Sequence, residues 1–346
     1  MLSLLSESTR LLYAQLLTQC LRDAAPKGRG LSFTSKTIHG SKHWYLQLVV
    51  GKQKKQFFIG PDSVDLRTQI EKEKALWLDA KQEIGQREKL VAMAIAGGAN
   101  TVGADVARVL EILERTGVFL LGAVLVGSHA FSIYGNMLGV SWEQDSLRTH
   151  DIDLASNKDP EILLGLENTQ TNLKEALLRS NMGFFEVPAL DRKAPSTSFS
   201  IRGKELSVDL LTPLHGKPTS KPVEIPALNT FAQPVRFLSY LLEDTQAAVV
   251  VAKSGILVNV PSPARFALHK LVVSQRRIAA FQTKSQKDIG QASQLIEWLL
   301  DERPGDIQIA VAAAQKMPTK FTDGLEQAIK KFPHELQLRL HEFFTS

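Results

Sequence analysis

Leu125-Val126-Gly127-Ser128-His129-Ala130, then Thr149-His150-Asp151-Ile152-Asp153-Leu154, then Leu206-Ser207-Val208-Asp209-Leu210-Leu211: these three stretches decide the reading of the chain. The first closes an apolar run that predicts a buried strand over 118–126. The run enters Gly127-Ser128, where a helix over 128–138 is predicted, with Ala130, Phe131, Tyr134 and Leu138 spaced for one face. Glycine lets a ligand approach the backbone, and a new helix N-terminus presents free N–H groups, so the junction suits a phosphate. Ser128 is placed to cap the helix and to donate to a phosphate oxygen.

In the second stretch, Asp151 and Asp153 lie two apart in a strand predicted over 151–155. Alternation puts both carboxylates on one face and turns Ile152 and Leu154 into a core. Two like charges side by side repel unless a cation sits between them. A divalent ion that favours oxygen, Mg²⁺ above all, is the usual answer. Asp209 stands in an otherwise apolar strand predicted over 206–211. On a neighbouring strand it would complete a site for two metal ions, about 3.5–4 Å apart.

Working outward, strands are expected at about 183–187 and at 197–201. The second of these forms a hairpin with 206–211 around Arg202-Gly203-Lys204. A helix is expected at about 103–116. Before it, residues 64–96 predict one long helix ended by Gly97-Gly98. Ile70, Trp77, Ile84 and Val91 recur every seven residues, but Glu73 and Arg87 hold the companion positions. One apolar row makes a connector helix rather than a coiled coil. Residues 5–22 predict a helix with Leu11, Leu12, Leu16, Leu17 and Leu21 on one side. Residues 31–60 predict a small antiparallel sheet that leans on it. Helices close the chain: Ser262-Pro263 is a helix start, and Ile289, Ala292, Ile296 and Leu299 line a face. The fold class is α+β.

The chain has 346 residues, 44% of them apolar and 22% charged, the profile of a folded protein of about two or three domains. The single cysteine, Cys20, excludes an internal disulfide. No run approaches the ~18 apolar residues of a membrane span. The start MLSLLSESTR carries Glu7 and no basic segment, so it does not read as a signal peptide. The expectation is a cytoplasmic protein without membrane contact. The net charge of +5 is uneven: residues 1–60 hold nine Lys/Arg against two acids. Such a basic end suits a polyanion, RNA or DNA, or is a solvated surface.

Gly-Ser after a strand, Asp-x-Asp, and a further strand Asp together resemble the DNA polymerase β-like nucleotidyltransferase superfamily. The tail adds to this. Ala264-Arg265-Phe266-Ala267-Leu268-His269-Lys270-Leu271, then Arg276-Arg277, then Lys287-Asp288 look like the fourth motif of bacterial abortive-infection and toxin–antitoxin nucleotidyltransferases. The resemblance covers roughly residues 103–300. It implies a mixed-sheet nucleotidyltransferase core over 101–260. A basic helix-plus-sheet module over 1–62 and a connector helix over 63–100 precede the core, and a helical region over 261–346 follows it.

By the same resemblance, Asp151 and Asp153 would hold two Mg²⁺ ions (or Mn²⁺) and the NTP phosphates. Asp209 would hold the catalytic metal and act as base. Gly127 and Ser128 would cradle the β- and γ-phosphates, Lys270 would offset phosphate charge, and Asp288 would complete the motif. Lys270 and Arg277 are seven apart, so about 20° apart around a helix. The implied reaction is NMP transfer from an NTP to RNA, tRNA or a protein hydroxyl. A toxin or phage-defence role would bring an antitoxin partner. The pattern departs in spacing: twenty-two residues separate Ser128 from Asp151, and the extra piece, 139–148, reads as a loop or hairpin.

Other readings stand beside these. Ser285-x-x-Asp288 is also a capping box, which would only start a helix. Lys270, Arg276 and Arg277 could form an exposed basic helix face. His129 beside Ser128 makes no nucleophilic pair, because adjacent helical residues diverge by about 100°. The histidines and Cys20 have no zinc spacing. Trp44, Tyr45, Phe57 and Phe58 are core or base-stacking residues of the small sheet. The alternative function is a nucleic-acid-binding protein with a vestigial transferase site.

Overall fold

The computed structural model describes residues 3–23, 31–38, 41–50, 53–142, 149–158, 171–189, 191, 193–276 and 282–345. The chain opens with β1 (Ser3–Leu4) and α1 (Glu7–Asp23). A three-stranded antiparallel sheet follows, β2 (Leu31–Ile38), β3 (Ser41–Val50) and β4 (Gln53–Pro61), in the order β2-β3-β4. Helix α2 (Val64–Ala96) starts where the Ser63 side chain accepts from the Leu66 N–H, and it stops at Gly97. Both limits match the sequence reading.

The inward side of α1 overlaps the one its leucines predicted only in part. Thr9, Tyr13, Leu16 and Cys20 are buried and Leu12 and Leu17 are partly buried against the same cluster, whereas Leu11 and Leu21 are exposed. Its partners are α2, the helix Gly127–Leu138 and the hairpin of strands Thr245–Val250 and Ile256–Pro261. Tyr13 Oη accepts from the Val249 N–H at 3.2 Å, and β1 pairs with Val140–Ser141. α1 thus packs on the body of the protein. The small sheet touches the start of α2, where Trp44 Nε1 donates to Asp62 Oδ1 at 2.7 Å.

The body begins with α3 (Ala104–Arg115), an amphipathic helix that buries Val106, Val109, Leu110 and Leu113. Then come β5 (Val124–Val126), α4 (Gly127–Leu138), β6 (Val140–Ser141) and β7 (Asp151–Ala155). The apolar run from Val118 is buried as expected, but only its last three residues form strand. Thr116–Gly122 turns instead, with bonds such as Leu121 N to Gly117 O at 3.0 Å. Of the loop or hairpin read over 139–148, Val140–Ser141 pairs with Ser3–Leu4, and residues 143–148 lie outside the described residues.

α5 (Leu173–Leu178), β8 (Phe184–Glu186), β9 (Ser198–Ile201) and β10 (Ser207–Pro213) follow. Then come β11 (Val223–Ile225), β12 (Thr230–Val235), α6 (Leu238–Leu242), β13 (Thr245–Val250) and β14 (Ile256–Pro261). The central sheet has seven strands and is mixed. Its main order is β11-β12-β10-β7-β5, with β9 on β10 and β8 on β9. β7 and β10 are parallel, β5 is antiparallel to β7, and β9 is antiparallel to β10 as the hairpin reading required. The β13–β14 hairpin packs at the β5 side, where Asn259 Nδ2 donates to Phe119 O and Ala123 O at 2.7 and 2.9 Å.

The chain ends in α7 (Pro263–Arg276), α8 (Gln282–Glu302), α9 (Pro304–Gln315), α10 (Thr319–Ile329) and α11 (His334–Thr345). α7 starts at Pro263, where a missing N–H is harmless. Its inner face, Phe266, Ala267, Leu271 and Val272, joins Leu295, Ile296 and Leu299 of α8 in the same core as the sheet. Fully burying a leucine or phenylalanine contributes about 1.5–3 kcal/mol. This shared core fixes α7 and α8 over the sheet. No described helix is long and apolar enough to cross a membrane.

Candidate active site

The sheet brings the three acids together. Asp153 and Asp209 are register partners on parallel β7 and β10, and Asp151 pairs with Ser207 two residues earlier. Register partners share a face, so Asp151, Asp153, Ser207 and Asp209 lie on one side. Ile152, Leu154, Val208 and Leu210 are buried on the other. Ser207 Oγ donates to Asp151 Oδ1 at 3.0 Å and lies 3.5 Å from Asp209 Oδ2. Ser198, opposite Asp209 on β9, also hydrogen-bonds the Asp209 carboxylate.

Gly127 is the first residue of α4, one after Val126, the register partner of Asp153. Its φ is +70°, and a Cβ there would run into Asp153 Oδ2. Only glycine combines that backbone with that contact. Ser128 is the second helical residue and not the cap; Val126 holds the cap position, without a side-chain bond to the first turn. The cap residue thus leaves the first-turn N–H groups of α4 to another acceptor, such as an anion.

The electrostatics match a site built for charge. Burial raises the Asp153 carboxyl to about 7; Lys270 works against the shift, and Asp209 and Asp151 add to it. Burial also raises Asp209, opposed by its bond from Ser198. Facing the acids from α7 and α8 are Lys270, Lys284 and Lys287. Lys270 Nζ is paired with Asp288 Oδ1 at 2.7 Å, with the two side chains 12% and 3% exposed. Lys284 Nζ lies 4.0 Å from Asp151 Oδ2. Burial, and then Lys270, push Lys287 below the usual lysine value. Burial, and then Lys287, lower His129 to about 4, so its imidazole is neutral.

One alternative from the sequence falls here. Asp288 does not start a helix: α8 begins at Gln282, Asp288 is buried within it, and Ser285 Oγ donates to Ser274 O. Of the basic helix face, Lys270 is nearly buried whereas Arg276 is exposed. Arg277 lies outside the described residues, as do the side chains of Phe57 and Phe58.

A family model described as Nucleotidyltransferase matches residues 104–316. The chain belongs to the nucleotidyltransferase family. No curated protein and no solved structure matches it. The matched span opens at the first residue of α3 and closes just past α9. It holds the whole seven-stranded sheet of this nucleotidyltransferase, with the three acids and the three lysines; the small sheet and α2 precede it.

Nucleotidyl transfer commonly calls on a divalent cation, and the donors here suit a hard one. They are carboxylate oxygens on one face and partly buried. Among the described residues no group of three or more His, Cys, Asp or Glu side chains is already gathered around one metal position. Ser207 and Lys284 instead occupy the space around Asp151.

The sequence reading missed Lys284, Ser198 and Ser207 as neighbours of the acids, and it had Lys287 only as part of the Lys287-Asp288 motif. Lys284 and Lys287 are three apart in α8, a spacing that puts them on one face. That signal was present beside the quoted Lys287-Asp288.

Proposed function

We propose that this nucleotidyltransferase moves NMP from an NTP to an acceptor hydroxyl in a Mg²⁺-dependent reaction, with Mn²⁺ as a substitute. One juxtaposition supports the reading. Three carboxylates on neighbouring strands face an uncapped helix N-terminus and three lysines. An NTP is negatively charged along its phosphates and needs both cations and backbone donors.

Asp151, Asp153 and Asp209 are assigned as the divalent-cation ligands. When bound, two such ions neutralise charge at the α-phosphate and on the leaving pyrophosphate. Gly127 and Ser128 present N–H groups to the β- and γ-phosphates. Lys270, Lys284, Lys287 and Arg277 offset phosphate charge. Asp288 fixes Lys270 by the buried ion pair. Asp209 takes the proton from the acceptor hydroxyl. Residues 101–260 form the catalytic core in this scheme and 261–346 the helical region that carries the lysines. The connector spans 63–100 and the basic module 1–62.

The test uses NTP labelled at the α-phosphate or at the γ-phosphate, with Mg²⁺ and total cell RNA, protein and metabolites. Label carried over from the α position alone is expected. Label carried over only from the γ position would replace nucleotidyl transfer by phosphoryl or pyrophosphoryl transfer. A toxin role belongs to the same proposal and predicts growth arrest by the wild type and not by Asp153→Ala.

A second reading has its own observation. Lys36 and Lys42 lie 5.1 and 4.8 Å over the rings of Tyr45 and Trp44 on the small sheet. Basic and aromatic groups together suit a nucleic acid. In that reading the transferase site is inactive and residues 1–62 bind RNA or DNA. Steep salt dependence, lost on replacing Lys36 and Lys42 by Glu, would support it.

A further inference from the structure

The face that carries the acids runs on past them. At the site the strands lie in the order β5-β7-β10-β9-β8. Register partners form two rows across that face. One row reads Asp151, Ser207, Ser200 and Phe185, and the next reads Asp153, Asp209 and Ser198. Ser198, Ser200 and Phe185 are half-buried, whereas Phe184, Phe199 and Ile201, which point the other way, are buried. Over the ring of Phe185 stands the guanidinium of Arg202, its central carbon 5.6 Å from the ring centroid. Arg202 belongs to the turn between β9 and β10 and is exposed.

In-line displacement gives the two ends of this face different tasks. The proposed phosphate cradle, Gly127, follows Val126 of β5 and lies against Asp153. Pyrophosphate therefore leaves on the β5 side. The attacking oxygen approaches the α-phosphorus from the opposite side, over Asp209 and toward β9 and β8. An acceptor meets the hydroxyls of Ser198 and Ser200 there, and then the ring of Phe185 with the guanidinium of Arg202. Aromatic rings and arginine planes both stack unpaired bases. Neighbouring strands are ~4.8 Å apart, so Phe185 lies about 10 Å across the sheet from β10, which leaves room for one nucleoside between the ring and Asp209.

We propose that β8 and β9 form the acceptor platform, and that the acceptor is the 3′ end of a single-stranded RNA, its last base stacked at Phe185 and Arg202. Its role as acceptor rests on the nucleotidyl-transfer reading above. The terminal ribose lies over Ser200 and Ser198. Ser200 meets the 2′-hydroxyl, which DNA lacks, and the 3′-hydroxyl reaches Asp209. In the step, the 3′-oxygen bonds to the α-phosphorus of the NTP as the bond from that phosphorus to the oxygen bridging to the β-phosphorus breaks. The hydroxyl proton passes to Asp209, and pyrophosphate leaves with the bonding electron pair. Arg202 serves twice, since a guanidinium stacks with its plane and bonds phosphate with its N–H edge. A protein tyrosine would fit the same ring but brings no phosphate to that edge.

Short single strands carrying 2-aminopurine at the 3′ terminus or at an internal position test this, because the fluorescence of that base falls when it stacks. The full chain is titrated with them in Mg²⁺ without NTP, so that no transfer occurs. Quenching of the 3′-terminal probe in RNA is expected. Its Kd should be about tenfold weaker in Phe185→Ala, severalfold weaker in Arg202→Ala and near the wild-type value in Phe185→Trp. Arg202 is exposed, so its variant decides the matter if Phe185→Ala does not fold. Binding unchanged in Arg202→Ala, quenching of the internal base alone, or equal affinity for the DNA strand would each overturn the proposal. So would a terminal signal lost on replacing Lys36 and Lys42 by Glu and kept in Arg202→Ala. A chain that quenches the terminal base yet moves no label from NTP keeps the platform and loses only the reaction. Label moved to a protein tyrosine, with no quenching by RNA, would keep the reaction and overturn the platform.

Discussion

The carboxylate of Asp153 lies against the backbone of Gly127, on the spot that a side chain at 127 would fill. The contact couples the proposed phosphate cradle to the proposed metal face, because one residue serves both. Gly127→Ala would add a Cβ at φ +70° and push Asp153 aside. The backbone strain alone is about 1–2 kcal/mol. Transfer should fall about 100-fold, since ångström-scale misplacement costs that much, and thermal melting should show the fold retained.

The Lys270–Asp288 pair is nearly buried, so breaking it leaves an uncompensated charge. Asp288→Ala should lose about 3–5 kcal/mol in urea unfolding. The double variant Lys270→Met, Asp288→Leu should regain much of that stability. It should not regain nucleotide transfer. Recovery of both would make the pair purely structural.

Lys284 and Lys287 are the lysines assigned above to phosphate; Lys284 is exposed and Lys287 half-buried. Replacing either by Met should raise the KM for NTP about tenfold, the equivalent of ~1.4 kcal/mol, with a smaller change in kcat. Steady-state kinetics at fixed Mg²⁺ separates the two effects.

In EDTA, stability should respond to pH with two opposing slopes. Asp153 has an ordinary value of 3.8 and a folded value of about 7. The folded state keeps a proton that the unfolded chain has released. Its contribution is complete below about pH 4 and lost as pH rises through about 7. His129 is lowered from 6.5 to about 4, so the unfolded chain binds the extra proton and stability falls as pH drops from about 6.5 toward 4. Asp153→Asn should erase the first slope and leave the second. Urea unfolding from pH 4 to 8 reads both, and an unchanged profile in the variant would exclude Asp153 as the source.

The site was more legible in the sequence than its surroundings. Asp151, Asp153 and Asp209 sit in strands whose alternation is unambiguous, and a parallel register carries same-face acids to each other. The long helix over 64–96 was readable from the row Ile70, Trp77, Ile84 and Val91 and from Gly97. Other parts depended on long-range contacts that no local pattern encodes. β13 and β14 are apolar strands that pattern alone did not separate from the rest of the core. The inward side of α1 is set by Tyr13 and Thr9, which meet Val249 and Gly97 far along the chain, together with Leu16, and not by the whole row of leucines. Lys284 gained meaning only when α8 was packed over the sheet.

Asp209→Asn is the decisive variant, because it removes one charge from the acid set and leaves Ser207, Ser198 and the phosphate cradle in place. The measurement is single-turnover transfer from α-labelled NTP in Mg²⁺, beside NTP binding by calorimetry. A fall in transfer of about 10²–10⁴-fold, with binding kept within a few-fold of wild type, is expected. Transfer at the wild-type rate in a folded Asp209→Asn protein would remove the carboxylate set from the chemistry.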